Sequence, residues 1–325
     1  MTRLRMTVGV GLLVASCVAV ASAQALRQTR SEGLRSSAAP IAQLWSDSKD
    51  LAQRDLVWGP GRASLAPSAR VPYTVLKKDD SGASPGYDVV GPDGRTWKIK
   101  VGKEVQPEIV LSRILWALGY HQPQMYFLTD WHLTGDWEHE GKPARFRLLS
   151  DHETDGNWAW IDNPFAGSRP MHGLIAINLL LGNWDFKTSN NRVYVLNDSR
   201  AEPTRRYVVQ DLGGSLGNCC PFPFIKGTKN DLEDFERASF IKKADGNEVR
   251  LNYRGPHAKV FSRVSAADVT WACERMNRLR DSQLDDAFKA AGYPPDVRQR
   301  YVREIRERIR EGLELRTVQE ARRQP

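Results

Sequence analysis

Between Asn183 and Asn191 the chain reads NWDFKTSNN, directly after the apolar run LIAINLLLG. A carboxylate (Asp185), an ammonium (Lys187) and an amide (Asn190) thus share one short polar stretch. A second carboxylate, Asp211, stands in QDLGG. Lys100 lies in RTWKIKVG, and Glu108 follows in KEVQPEIVLSRILWALGY. Together these residue types offer oxygen ligands for a divalent cation, cations for anionic oxygens, and a carboxylate able to accept a hydroxyl proton. Phosphoryl transfer needs that set, because it demands little covalent chemistry from the protein and much placing of charge. The plainer alternative is that Asp185 and Asn190 build an Asx-type turn closing a helix.

To act together these residues must be brought together by the elements that carry them. VPYTVL, YDVV and RTWKIKVG read as three strands joined by the polar turn KKDDSGASPG and the tight turn GPDG. Alternation in the third strand puts Trp97, Ile99 and Val101 on one face and Lys98 and Lys100 on the other. The next segment has helical spacing of apolar residues, Pro107 and Glu108 in its first turn, and Gly119 at its end. MYFL is a short strand, and a Trp-, Gly- and Asp-rich connector leads to the helix MHGLIAINLLLG, closed by Gly182. RVYVL and RRYVVQDLGG form a strand hairpin, and the chain from about Asp231 reads as mostly helical.

This order of parts resembles the protein-kinase-like superfamily. DFKTSN fits the catalytic-loop spacing D-x-K-x-x-N, and DLG stands where kinases carry D-F-G. No His-Arg precedes Asp185 and no A-P-E follows DLG, so the chain is more similar to the atypical branch, that of HipA-type serine kinases and phosphoinositide kinases. The resemblance implies an α+β, two-lobed fold with a small β-rich N-lobe at about 70–130 and a larger, mostly helical C-lobe at about 131–325. It implies ATP and magnesium as cofactors and a hydroxyl acceptor on a protein, lipid or sugar. By the same resemblance Asp185 orients and deprotonates the acceptor hydroxyl, Lys187 offsets charge on the moving phosphoryl group, and Asn190 and Asp211 hold the metal. Lys100 grips the nucleotide phosphates with Glu108 fixing it, Lys98 and Glu104 being the alternative members of that pair. Gly82 and Gly86 belong to a turn over the phosphates. The competing readings are a non-catalytic pseudokinase serving as an envelope binding or scaffold protein, and transfer of a nucleotidyl group.

Composition sets the remaining bounds. With 325 residues, 41% hydrophobic and 26% charged, the chain can bury one large core or two modest ones. The formal charge of +8, of which Arg3 and Arg5 contribute two, favours anionic partners. No nucleic-acid-binding module is recognisable. Arg3 and Arg5, the apolar stretch from Val8 to Ala21 and Ala21-Ser22-Ala23 read as a signal peptide over 1–23, implying export to a periplasmic or extracellular space. VASC offers the rival reading of a lipoprotein with Cys17 modified. No later segment is apolar enough to span a membrane. Residues 24–69 read as an extended leader or linker with one helical patch near IAQLWSDSKDLAQ and little core of its own. Cys219 or Cys220 is expected to bridge to Cys273. Trp131, Trp137, Trp158 and Trp160 are expected to pack their connector onto the helical lobe.

Overall fold

The alternation in RTWKIKVG places that strand at the centre of a six-stranded sheet. The computed structural model describes residues 41–79, 84–149, 153–196, 204–218 and 226–321. Strands β1 (Pro72–Asp79), β2 (Gly86–Val90), β3 (Thr96–Val101), β4 (Met125–Leu128), β5 (His132–Leu133) and β6 (Ala144–Leu148) lie in the order β4-β6-β3-β2-β1-β5. All neighbours are antiparallel except β1 and β5. Trp97 and Ile99 share one face with Tyr87, Val89 and Phe146, all buried, and Trp97 meets Phe146 edge-on at 6.3 Å. Each such side chain contributes roughly 1.5–3 kcal/mol by leaving water. The sheet's register is thereby committed, since a one-residue slip would turn this set outward. On the opposite face Lys98 pairs in register with Arg147 and Lys100 with Arg145, which sets four cations side by side.

Helix α1 (Val105–Ala117) follows β3 and is buried along most of its length, Glu108 included. It ends at Gly119, whose φ of +100° suits glycine, and a Cβ there would meet the Ser46 carbonyl oxygen at 1.9 Å. After β6 come β7 (Glu153–Thr154) and helix α2 (Arg169–Leu180), which starts with Ser168 accepting from Met171 N–H and has Pro170 in its first turn. Strands β8 (Asn191–Val195) and β9 (Arg205–Val209) complete a second sheet in the order β7-β8-β9. Helix α3 (Leu232–Arg237), hairpin β10 (Ile241–Asp245) and β11 (Glu248–Leu251), then α4 (Ala258–Phe261), α5 (Ala266–Asn277), α6 (Asp281–Ala290) and α7 (Pro295–Ala321) form the remainder. The fold is α+β, β-rich first and mostly helical after, as expected. Among the described residues no helix is long and apolar enough to cross a membrane.

Four local expectations need correction. From Ile41 onward the supposed leader is part of the core: it forms four short 3-10 turns, two of them within the expected helical patch, and Leu44, Leu51 and Leu56 are buried. The connector after MYFL contributes β5 and β6 to the first sheet, and Trp131 packs in that sheet against Tyr87 and Phe146, not on the helical lobe. Trp158 and Trp160 do join the second half, beside Tyr207 and Phe186, while Trp137 is partly exposed. The segment after Asp231 includes the β10–β11 hairpin, turning at Gly246 with φ +60°; D-G between alternating residues is a hairpin signal. Cys273 is a free, buried thiol against Gly312. Cys219 and Cys220 lie outside the described residues, as do Cys17 and the whole 1–23 segment.

Candidate active site

Lys100 projects from the cationic face of β3 into a cleft of about 520 Å³. Its Nζ lies 2.8 Å from Glu104 Oε2, 2.9 Å from Asp211 Oδ1 and 3.5 Å from Glu108 Oε2. Lys98, the alternative lysine, instead pairs with Asp79 at 2.5 Å. Both candidate glutamates therefore flank the same ammonium. Glu104 is also held by Lys229 and accepts from the Ser84 hydroxyl at 3.1 Å. Glu108, fully buried, lies 3.3 Å from Arg145 Nε, and Arg145 donates to the Lys98 carbonyl at 3.2 Å. An isolated charge at such depth would be untenable, whereas here groups of opposite sign stand next to one another.

The same arrangement sets the protonation of its members. Burial by itself would lower the Lys100 pKa, but the carboxylates of Glu108, Asp211 and Glu104 outweigh burial and the opposing Arg145, and hold it above the ordinary value. For Glu104 burial would favour the neutral form; the charge and hydrogen bond of Lys100, joined by Lys229, overcome this and lower it to about 2. Burial lowers the Arg145 pKa, with Glu108 opposing the change. At neutral pH the cleft therefore presents charged lysine and carboxylate side by side.

The loop after α2 is built on an amide relay. Asn178 donates to Leu174 O at 2.8 Å, Asn183 donates to Asn178 Oδ1 at 2.8 Å, and Asn183 Oδ1 accepts from the Asp185 N–H at 3.0 Å. Phe186 anchors the next position, buried among Trp160, Tyr253 and Phe261 at centroid distances of 4.8, 5.2 and 4.5 Å. With its neighbours so fixed, Asp185 faces the cleft, where Lys187 Nζ meets Asp185 Oδ2 at 2.8 Å. Asn190 donates to the Asp185 carbonyl at 3.0 Å, and the Asn190 carbonyl accepts from Gln210 N–H at 2.9 Å. This last bond ties the loop to the segment that carries Asp211. Asx-turn chemistry is thus present, and it positions the carboxylate instead of replacing its role.

Two glycines after Asp211 close the arrangement. A Cβ on Gly213 would meet Glu104 Cβ at 2.5 Å, and one on Gly214 would meet Asp185 Cβ at 2.8 Å. The strip is squeezed between the two carboxylate-bearing segments, so only bare backbone fits. Gly86 opens β2 opposite Lys100, and a Cβ there would strike the Ile99 carbonyl at 2.7 Å. It is a sheet residue lining the cleft, not part of a turn over it; Gly82 lies outside the described residues.

Magnesium favours oxygen ligands and usually takes one or two carboxylates together with phosphates and water. Asp211 presents a carboxylate that is 42% exposed in the cleft, and Asn190, whose amide nitrogen is used by Asp185 O, keeps its side-chain oxygen for a cation. These donors fit that ion. Among the described residues no group of three or more His, Cys, Asp or Glu could hold a metal by itself.

All of Lys100, Glu108, Asp185, Lys187, Asn190, Asp211 and Gly86 line this one cleft. Sequence reading missed Arg145, Arg147 and Arg192, which line it too. The signal for Arg145 and Arg147 was ARFRL, whose arginines alternate as the lysines of WKIK do, in a segment read as connector.

No protein-family model matches the chain. No curated protein matches it. Two solved structures similar to it are kinases. The crystal structure of CtkA, a proinflammatory kinase of Helicobacter pylori, aligns over 76% of this chain and 95% of its own, with 10% identity and a TM-score of 0.48. The Rio2 kinase–ADP/Mg2+–phosphoaspartate complex from Chaetomium thermophilum aligns over 75% of this chain and 72% of its own, with 14% identity and a TM-score of 0.34.

Proposed function

We propose that the chain is a magnesium-dependent phosphotransferase that moves the terminal phosphoryl group of a phosphoanhydride, with ATP as the donor its motifs imply, to a hydroxyl. One observation carries this reading: Lys100, Asp211, Asn190 and Asp185, far apart in sequence, line a single cleft, with Lys100 and Asp211 in contact across it. Lys100 binds the phosphate oxygens and is held for that by Glu104 and Glu108. Asp211 and Asn190 would hold magnesium, which would supply positive charge to offset that of the phosphates. Asp185 accepts the proton of the attacking hydroxyl, and Lys187, 57% exposed beside it, is free to turn toward the moving phosphoryl group. The Lys100–Asp211 pair seen here is then the resting arrangement, exchanged for phosphate and metal on binding.

The two aspartates have different duties, and their removal distinguishes them. Calorimetric titration of Asp211→Ala with Mg·ATP should show affinity reduced at least tenfold. Asp185→Ala should bind nearly as the unmutated protein does, and its turnover should fall by about 10²- to 10⁴-fold, the usual loss for a general base. If the unmutated protein binds no nucleotide with any divalent cation, the catalytic reading fails and a scaffold role replaces it.

A further inference from the structure

Beyond the catalytic cleft, and sharing Arg147, Arg192 and Gln210 with it, lies a second chamber of about 360 Å³. Arg206 completes a group of three arginines there, and among the described residues no carboxylate lines the chamber. None of the three forms an ion pair among the described residues. Arg147 donates to Gln210 Oε1 at 2.7 Å, and Arg192 donates to the Ser189 carbonyl at 2.7 Å. Their charge is therefore met by neutral dipoles only. Arg206 Nε and Gln210 Nε2 are buried donors with no hydrogen-bond partner, and Gln122 Oε1 and Gln124 Oε1 are buried acceptors in the same condition. Leaving a buried donor unmatched costs on the order of 1–3 kcal/mol, so Arg206 Nε and Gln210 Nε2 favour an occupant that accepts. Burial lowers the Arg206 pKa.

Among the described residues lining the catalytic cleft the only aliphatic one is Ile99, whose side chain is fully buried in the sheet core, so only its backbone faces the cleft. A neutral base in the chamber would leave three guanidinium charges without a counter-charge, whereas an oxyanion matches their fork geometry directly.

We propose that this chamber is a second phosphate subsite, so that cleft and chamber together take a ligand carrying phosphate at both ends. The proposal rests on the phosphotransferase reading of the cleft and deepens it. The same oxyanion chemistry has two sources. It belongs to the far end of a condensed-phosphate donor, or to a phosphate already borne by the acceptor.

The test uses the full chain with magnesium and calorimetric titration of tripolyphosphate, inorganic phosphate, ATP and adenosine. Either tripolyphosphate binds and displaces ATP, which assigns the subsite to the donor, or inorganic phosphate binds alongside saturating ATP, which assigns it to the acceptor. In both cases Arg206→Gln should weaken the phosphate probe by on the order of tenfold or more, Arg206→Lys should recover part of the loss, and added salt should weaken binding. Arg147→Gln is the second variant should Arg206→Gln not fold. Phosphate probes that fail to bind, or bind equally to the variants, overturn the proposal, as does adenosine binding that depends on Arg206. The two readings fail separately. ATP binding with phosphate insensitive to Arg206 removes the subsite and leaves the phosphotransferase; Arg206-dependent tripolyphosphate binding without ATP binding removes ATP as donor and leaves the subsite.

Discussion

Glu104 sits between two ammonium groups, Lys100 and Lys229, at the mouth of a helix whose next turn buries Glu108. Its carboxyl is held at about 2, below the ordinary 4.5, so the folded state binds its proton more weakly than the unfolded chain does. The associated stability is fully present above pH 4.5 and is lost as the pH falls from there toward 2. Urea midpoints measured across that window should fall for the unmutated protein and fall less steeply for Glu104→Gln. Equal slopes would mean that Lys100 and Lys229 do not hold this carboxylate. Glu108 is deeper and has Arg145 as well as Lys100 beside it, so its removal leaves two cations short of a partner.

At the scale of elements, the cleft is aligned by the strip that follows Asp211. Gly213 rests on Glu104 and Gly214 on Asp185, so this strip fixes the spacing between the start of α1 and the loop after α2. Gly213→Ala should cost about 1–3 kcal/mol by overpacking and should weaken Mg·ATP binding, because Glu104 is pushed away from Lys100. Thermal melting and titration of one preparation check both effects. Unchanged melting with unchanged binding would show the strip to be slack. Phe186 holds the other side of the same loop by ring contacts, an apolar residue set between the two charged ones it positions.

At the scale of the whole molecule, the segment from Ile41 to Leu56 ties α1 to the helices of the second half. Trp45 donates to the Leu118 carbonyl at 2.7 Å and meets Trp271 at 5.4 Å, with Arg275 over both rings. Gln283 donates to Leu51 O at 2.9 Å, and Arg54 lies over Trp116 at 4.7 Å. Since α1 carries Glu108, this strap braces the cleft from behind. Leu56→Ala, at a position with no exposed surface, should cost about 2–5 kcal/mol in denaturant unfolding. A loss below about 1 kcal/mol would mean that the strap adds little to the fold.

The periodic parts of the chain were legible without a structure. Lys98 and Lys100 alternate against Trp97 and Ile99, Gly119 and Gly182 close their helices, and D-x-K-x-x-N before a strand hairpin and DLG marks the loop and its partner. These are short-range properties, decided by strand and helix period and by the few residues that tolerate a turn. Tertiary structure alone decided which ion pairs form. Whether Lys100 meets Glu104, Glu108 or both depends on how α1 leans on the sheet, and Arg145 joins them only because β6 pairs with β3 in one register. The strap from Ile41 to Leu56 was opaque for a related reason. Its three buried leucines lie in and between short 3-10 turns that carry no sustained period, and the strap's partners are far along the chain, from α1 to Gln283.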